Sequence, residues 1–456
     1  MGKNHNFLGN LPVTLLIVFA FQSVYVQSND ASEDPSSTYL NISGSSTSLI
    51  NSFEIKFGLS PENTTDGKNA KSGNGTLVAY YPAYNAEAKP VSDIKFELYD
   101  ELVFFVATTN SNFTIGTGNV ASWDALAKEF TSKSKAAGVR PIYSLGGWTG
   151  SRYLSLLVAT HENRTRYAES VVDFAKKYGF EGFNLDWEYP SIQGIGCNTV
   201  DDSDAFNQQL FMKEVKKLWP QGSLSACVSI AGIRQFDYTP LPAANLTTFA
   251  QVLDKVHIMA YDVYGSFTKT TGPNAPLYGH CAEPGNQLSV QSGIDMALRQ
   301  GFSPNQILLG IPAYAKTWTL ASPKLTPKVV GNHTTYHYQN FTVIPPGGKF
   351  DDKPGKDICG QTTGWGGTWL VSELVENGIL SEDQSSGGKG FTRYYDECSG
   401  EPFLVSNTTL ISYDDINSTI TKVEYAKSKN VSGIFFFDLL GPADDTVAAA
   451  RNALLH

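Results

Sequence analysis

The segment GFEGFNLDWEYP, residues 179–190, alternates polar and apolar side chains in the manner of a β-strand. Because successive side chains of a strand point to opposite faces, Asn184, Asp186 and Glu188 are predicted to share one face. The residues around them are strongly apolar. An amide and two carboxylates in a row are therefore unexpected for a strand that only supports the fold.

Similar β-rich runs recur along the chain, and several are apolar on both faces, as strands buried in a parallel sheet are. They are residues 77–84, 101–108, 140–147, 179–188, 223–231, 255–265, 306–315 and 431–440. Helical patterns lie between them, for example over 164–178, where Gly179 is a stop signal. Eight strands that alternate with helices predict an α/β fold, the (β/α)8 TIM barrel.

The alternation is interrupted between strands seven and eight, over about residues 317–430. The stretch TRYYDECSGEPFLVSNTTLISYDD, residues 392–415, has the pattern of short antiparallel strands joined by turns. We therefore expect a small α+β insertion domain over residues 318–410, within a folded region that spans 71–456.

Composition narrows the class of protein. A net charge of −10 over 456 residues argues against a nucleic-acid partner, because little here would neutralise phosphates. Charged residues make up only 17% of the chain, whereas glycine and aromatic residues are plentiful. This profile is typical of a secreted, loop-rich protein, and nothing in it calls for a cofactor or a metal.

The amino terminus, MGKNHNFLGNLPVTLLIVFAFQSVYVQ, has one early lysine and a short apolar run, which predicts a secretory signal peptide over residues 1–27. A retained membrane anchor is the alternative. Residues 28–70 are rich in Ser, Thr, Asn and Asp and have the composition of a flexible spacer. Eleven glycosylation sequons support export to the outside of the cell or to its wall, at Asn41, Asn63, Asn74, Asn112, Asn163, Asn245, Asn332, Asn340, Asn407, Asn417 and Asn430.

An exported chain can form disulfides, and four of its five cysteines lie in Gly- or Asp-rich loops. We expect the pairs Cys197–Cys281 and Cys359–Cys398, although sequence alone leaves other pairings open. Cys227 lies in the apolar run LSACVSIAG and is expected to be a buried free thiol.

Buried carboxylates are costly unless they are hydrogen-bonded or protonated, so Asp186 and Glu188 are candidates for a functional site. The alternative interpretation is that these polar residues belong to a solvated strand at the barrel edge and have no catalytic role. A protonated carboxylic acid beside an ionised carboxylate is the pair of catalytic groups that commonly cleaves a glycosidic bond. The neighbouring Trp187 and Tyr189 also favour a sugar site, because flat rings pack well on pyranose faces.

These residues lie in a pattern that resembles family 18 of the glycoside hydrolases, the chitinases. FEGFNLDWEYP is similar to the family's D-G-x-D-x-D-x-E signature, and YSLGGW (143–148) to its S-x-G-G. IMAYDVYG (258–265) matches M-x-Y-D, and LLGIPAYAKTW (308–318) and LISYDD (410–415) resemble later segments. Stretches such as GPNAPLYGHC look most like fungal members, and the resemblance covers nearly all of residues 77–450.

The resemblance implies hydrolysis of β-1,4-linked N-acetylglucosamine polymers with retention, in which the substrate's own 2-acetamido group is the nucleophile. Glu188 would be the general acid, Asp186 would orient the acetamido N–H, and Tyr261 would bind the acetamido oxygen. The remaining residues implied to contact the sugar are Trp148, Met259, Asp262, Tyr189, Tyr80 and Phe437. The expected partner is chitin or its oligosaccharides, and the protein is expected to be a monomer. No nucleic-acid partner is expected, and no membrane association is expected after signal cleavage.

Departures from the family pattern lie at Glu181, Asn184, Lys316 and Phe437. Asn184 replaces the second Asp of the signature, and an amide retains hydrogen bonds but carries no charge. Phe437 replaces a Trp and lacks its indole N–H. These two changes leave open a second interpretation, in which the chain binds chitin like a lectin without cleaving it.

Overall fold

The computed structural model describes residues 75–118, 120 and 122–456. The predicted signal peptide (1–27) and spacer (28–70) lie outside the described residues. Within them, no helix combines the length and apolar character needed to cross a membrane.

Eight parallel strands close into a barrel, which confirms the predicted fold. Strands 1 to 8 of the barrel are Thr76–Pro82, Glu101–Thr109, Arg140–Gly146, Gly182–Asp186, Ser223–Ser229, Lys255–Met259, Ile307–Pro312 and Gly433–Phe437. Each strand pairs with its neighbours in chain order, and strand 1 pairs with both strand 2 and strand 8. Because all eight run in parallel, their carboxyl ends meet at one rim, where sites form in such barrels.

Helices cover the outside of the barrel. The longer ones are Trp123–Ala136, His161–Tyr178, Asp204–Leu218, Val290–Arg299, Ile416–Ser428 and Asp444–Leu455, and shorter ones are Gly147–Gly150, Leu154–Val158, Thr247–Val252 and Val371–Glu376. The connection after strand 1 contains short 3₁₀ turns instead, at Ala83–Asn85, Val91–Asp93 and Phe96–Leu98. The helices seal the outer faces of the strands with large buried rings such as Phe130, Tyr167 and Phe211.

The barrel interior has its own apolar cluster, which includes Val78, Val103, Ile142, Leu308 and Phe435. The strands are thus buried on both faces, which is why their sequences read as nearly continuous apolar runs. Polar side chains inside the barrel therefore stand out, and they gather towards the carboxyl-terminal rim.

The segment between strands 7 and 8 folds as an insertion with its own antiparallel sheet. Its strands lie in the order Phe341–Val343, Tyr314–Leu320, Thr409–Ser412, Glu401–Ser406, Thr392–Asp396, and Thr368–Leu370 also pairs with Tyr314–Leu320. Two-stranded ribbons join Lys328–Val330 to His333–Thr335 and Gly355–Lys356 to Thr362–Thr363. One further short strand, Ile115–Gly116, pairs with barrel strand 2. The first insertion strand begins two residues after strand 7 ends, so the sheet starts directly at the barrel rim.

The predicted disulfide pairing is wrong. The bonds join Cys197 to Cys359 and Cys281 to Cys398, across 162 and 117 residues. Both bonds connect a loop of the barrel rim to the insertion, whereas the predicted pairs kept rim with rim and insertion with insertion. Cys227 is free, as expected, and is half-buried inside the barrel.

Candidate active site

The polar row of strand 4 lies inside the barrel at its carboxyl-terminal end. Asn184 is fully buried, Asp186 is 3% exposed, and Glu188 follows the strand end and is half-buried. The polar row is therefore interior, and the alternative interpretation as a solvated strand at the barrel edge does not describe it.

Strand register explains why Asn184 is tolerated in the core. Asn184 pairs with Ser144 of strand 3 and with Ser225 of strand 5, so three polar side chains share one layer. Asn184 Oδ1 accepts from Ser144 Oγ at 2.9 Å and from the Tyr80 hydroxyl at 3.3 Å, and Asn184 Nδ2 donates to Ser225 Oγ at 2.9 Å. The amide is hydrogen-bonded through both of its ends, which offsets the cost of its burial.

Next to this layer, three strands bring together Tyr80, Cys227 and His257. The Tyr80 hydroxyl lies 2.7 Å from His257 Nδ1 and 3.1 Å from Cys227 Sγ, and Cys227 Sγ also lies 3.4 Å from Asn184 Oδ1. Burial lowers the pKa of His257 to about 3, so the imidazole is neutral at ordinary pH. Cys227 of strand 5 pairs with His257 of strand 6, and this register brings both side chains next to Tyr80.

Sequence reasoning missed His257 and Ser225 and assigned Cys227 to packing only. The signal was available, because inward positions alternate along each strand. Met259 was chosen on strand 6, and a step of two residues back reaches His257. The same step links Cys227 to Ser225 on strand 5.

A pair of glycines lets strand 3 approach Asp186 closely. Gly146 has φ +118°, and a Cβ there would lie 2.1 Å from the Asp186 carbonyl oxygen. Gly147 has φ +72°, and its Cβ would lie 3.1 Å from the Phe105 ring and 3.6 Å from Asp186 Oδ2. A side chain at either position would push strand 3 away from the carboxylates.

The backbone of Glu188 is held from both sides. Its N–H donates to Ser151 Oγ at 3.0 Å, and Ser151 Oγ donates to the Asp186 carbonyl at 3.1 Å. The Glu188 carbonyl accepts from Asn198 Nδ2 at 2.9 Å. Asn198 follows the disulfide-bonded Cys197, so the Cys197–Cys359 bond also restrains the loop that supports Glu188.

Both carboxyl groups of strand 4 are shifted towards the protonated form. Burial raises the pKa of Asp186, which a hydrogen bond from Cys227 partly opposes. Burial also raises the pKa of Glu188, and the negative charges of Asp186 and Asp262 raise it further. Like charges this close titrate as a unit, and one proton is retained well above the usual carboxyl range. A retained proton on the outer member, Glu188, is what a general acid requires.

The carboxyl end of strand 6 supplies Tyr261 and Asp262. The Tyr261 ring stacks on Phe437, with centroids 5.8 Å apart and planes 23° apart. Asp262 forms an ion pair with Lys316, 2.9 Å from Oδ1 to Nζ. Lys316 comes from the first strand of the insertion, Tyr314–Leu320.

Aromatic rings surround the strand ends. Phe437 contacts Phe105 edge-on at 5.2 Å and Tyr80 at 5.5 Å, so a second layer of rings supports it. Trp148 directly follows the glycine pair in the short helix Gly147–Gly150, and Tyr189 directly follows Glu188. Both are half-buried at the rim, and Met259 packs against the interior cluster. Trp148, Met259, Asp262, Tyr189 and Phe437 therefore come from strand ends at one rim, whereas Tyr80, also predicted to contact the sugar, is 1% exposed and lies in the barrel interior against Phe437.

One further acidic residue at this rim was not predicted. Asp438 follows Phe437, and burial raises its pKa to about 7. Its Oδ1 accepts the Leu440 N–H at 2.9 Å. Together with burial, the negative charge of Asp438 raises the pKa of Tyr84, whose half-exposed ring follows strand 1.

Among the described residues, one group has a spacing suited to metal ligands, namely His280, Cys281 and Cys398. Its two sulfurs form the second disulfide and are not thiolates. The group lies outside the carboxylate cluster.

Comparisons with known proteins agree with this geometry. The family model described as "Glycosyl hydrolases family 18" matches residues 76–441. A chitinase-like effector of Moniliophthora roreri is 34% identical over 390 residues, which cover 84% of this chain and 93% of that protein. Chitinase A1 of Niallia circulans is 30% identical over 327 residues, 68% of this chain and 41% of that protein.

Solved structures show the same fold. The crystal structure of the chitinase RmChi1 from Rhizomucor miehei matches with a TM-score of 0.71 and 25% identity, over 83% of this chain and 99% of that one. An Ostrinia furnacalis Group IV chitinase, solved with allosamidin, has a TM-score of 0.69 and 20% identity, over 83% of this chain and 98% of that one. The match of the family model over most of the chain, together with these relatives, shows that the chain belongs to family 18 of the glycosyl hydrolases.

Proposed function

We propose that this chain is a secreted chitinase-type hydrolase that cleaves β-1,4-linked N-acetylglucosamine polymers with retention. The observation that carries the proposal is the Asp186–Glu188 pair, in which burial and like charge keep a proton on the outer carboxyl group. Catalytic domain 2 of the Ostrinia furnacalis Group II chitinase has the same fold, and a mutant of it was solved in complex with a chito-oligosaccharide. Seven of the eight sequon asparagines in the described part are exposed, which supports export.

In the first step, Glu188 donates its proton to the glycosidic oxygen as the C1–O bond breaks. The carbonyl oxygen of the substrate's 2-acetamido group forms the new bond to C1, which gives an oxazolinium ion. Asp186 accepts from the acetamido N–H and stabilises this cation. In the second step, Glu188 takes a proton from water as the water oxygen attacks C1, and the acetamido group is restored.

The other residues fit supporting roles. Tyr261 retains its hydroxyl at the site and is positioned by its stack on Phe437, so it can donate to the acetamido oxygen. Phe437 and the rings beneath it offer a flat apolar floor for a pyranose face. Asn184 and its two serines hold the strand without adding charge beside Asp186.

A second candidate is a chitin-binding protein that does not cleave its ligand. Asn184 removes a carboxylate from the row, Phe437 removes an indole donor, and two relatives are named chitinase-like effectors. The experiment compares wild type with Glu188→Gln on chitin oligosaccharides, following products by chromatography and the anomer by NMR. Turnover to the β-anomer that disappears in Glu188→Gln, while binding persists, supports the hydrolase. Binding without turnover in both proteins supports the lectin and overturns the hydrolase.

A further inference from the structure

We propose that Glu401, a buried carboxylate of the insertion, is a positioning residue that holds Asp262 in place through Asn274. The inference rests on the proposed function only for its activity readout, because the contacts themselves are independent of turnover. It gives the insertion a role in the chemistry of the rim.

The first link joins the insertion to the loop after strand 6. Glu401 begins the strand Glu401–Ser406 and is 0% exposed. One of its carboxylate oxygens accepts the Asn274 N–H at 2.7 Å and the other accepts the Ala275 N–H at 2.6 Å, and the Ser412 hydroxyl also donates to it. These hydrogen bonds, two of them from main-chain N–H groups, attach the loop to the insertion whether or not Glu401 is charged.

The second link runs from Asn274 to the site. Asn274 is 0% exposed; its Oδ1 accepts the Asp262 N–H at 3.1 Å, and its main-chain oxygen accepts the Val263 N–H at 2.9 Å. Its Nδ2 donates to the Tyr314 carbonyl at 3.1 Å. Asp262 has φ +55°, in the left-handed region that a non-glycine residue rarely adopts without support. The two bonds from Asn274 supply that support.

The third link is the effect of Asp262 on the acid. Its carboxylate pairs with Lys316 at 2.9 Å, and its charge raises the pKa of Glu188. Tyr261 and Tyr314 also face it. A shift of Asp262 would therefore change both its ion pair and the protonation of Glu188.

Other charged groups surround Glu401. Lys422 and Asp414 form a buried ion pair beside it, and His337 contacts its backbone. The side chains of these groups are retained in the substitutions below.

The matched pair of variants is Glu401→Gln and Glu373→Gln. Glu373 is also a buried insertion carboxylate, and it accepts the N–H groups of Lys349 at 2.7 Å and Leu370 at 3.0 Å. Each Gln turns one acceptor oxygen into an NH2 group that faces a donor. Glu373 contacts neither Asn274 nor Asp262, so it controls for general loss of stability.

We expect Glu401→Gln to lower kcat on chitin oligosaccharides on the order of tenfold, because small displacements in an active site are costly. Its basic limb of kcat/KM should move to lower pH, since a displaced Asp262 raises the pKa of Glu188 less. Glu373→Gln should lower Tm as much as Glu401→Gln does, but the basic limb of its kcat/KM profile should remain at the wild-type pH. Coincident pH profiles for wild type and Glu401→Gln would overturn the proposal.

If Glu401→Gln does not fold, Ser412→Ala carries the test, because the Ser412 hydroxyl donates to Glu401 and accepts the Asn274 N–H at 3.2 Å, so its loss weakens the same link. The same downward shift of the limb is expected, and an unmoved limb overturns the proposal. If wild type shows no turnover, the proposed function fails, and the inference is then decided by calorimetric titration with chito-oligosaccharide. Weaker binding by Glu401→Gln than by Glu373→Gln supports it, and equal affinities overturn it.

Discussion

The side-chain amide of Asn184 donates to Ser225 Oγ across 2.9 Å, so its nitrogen faces strand 5 and its oxygen faces strand 3. A carboxylate at this position would keep the bond to Ser144, while the Ser225 hydroxyl could rotate to donate. The position can therefore accept Asp without loss of packing, and the difference between the two residues is mainly one of charge.

Asn184→Asp should move the basic limb of the kcat/KM profile to higher pH. The new negative charge beside Asp186 and Glu188 raises the pKa of the pair, so Glu188 keeps its proton to higher pH. Ser144→Ala, which removes a hydrogen bond to Asn184 but adds no charge, should leave the limb in place. An Asn184→Asp profile that overlies that of wild type would refute charge as the role of this position.

Phe437→Ala should weaken binding of chito-oligosaccharides by about fivefold or more, since a stacked ring contributes on the order of 1 kcal/mol beyond its buried area. The loss also frees Tyr261, whose ring stacks on Phe437. Phe236, 58% exposed on the loop after strand 5, gives the control Phe236→Ala. Equal affinities for Phe437→Ala and wild type in calorimetry would exclude Phe437 from the sugar site.

Peptide mapping of the unreduced protein should show the pairs Cys197–Cys359 and Cys281–Cys398. Cys359→Ser should lower the free energy of unfolding by about 2–4 kcal/mol, as loss of a long loop closure does. It should also lower activity, because Cys197 adjoins Asn198, which holds the Glu188 backbone. Cys398→Ser, on the other bond, should also lower stability.

His257 should make the fold sensitive to acid. Its pKa is lowered to about 3 by burial, so between about pH 6 and pH 3 the unfolded chain binds a proton that the native chain does not. The stabilising contribution of neutral His257 is complete above its unfolded pKa and falls by up to about 1.4 kcal/mol per pH unit below it.

The variant His257→Gln keeps a hydrogen-bonding group near Tyr80 but does not titrate. Urea unfolding from pH 3 to pH 7 should show wild type losing stability relative to His257→Gln as pH falls. Asp186 and Glu188 titrate in both proteins, so the difference isolates His257. A difference that is constant with pH would mean that the pKa of His257 is the same in the native and the unfolded chain, and it would refute the prediction.

Much of the fold was predictable because its signals are local. The period of two in strands, the helical patterns between them and the glycine stop signals repeat within short windows of sequence, and they predicted eight strands at the observed places. Asn184, Asp186 and Glu188 were predictable as a row for the same reason, since a single strand determines their spacing.

The contacts between segments far apart in sequence were decided only by the tertiary structure. Strand register brings His257, Cys227 and Tyr80 together, and the path of the loops decides that Cys197 meets Cys359. The same holds for Lys316 with Asp262, which lie 54 positions apart in number but 2.9 Å apart in space. The sequence by itself determined which residue types are buried in each strand, because that depends on local alternation. The closed barrel and its insertion determined which of them meet, because pairing depends on the register and curvature of the whole sheet.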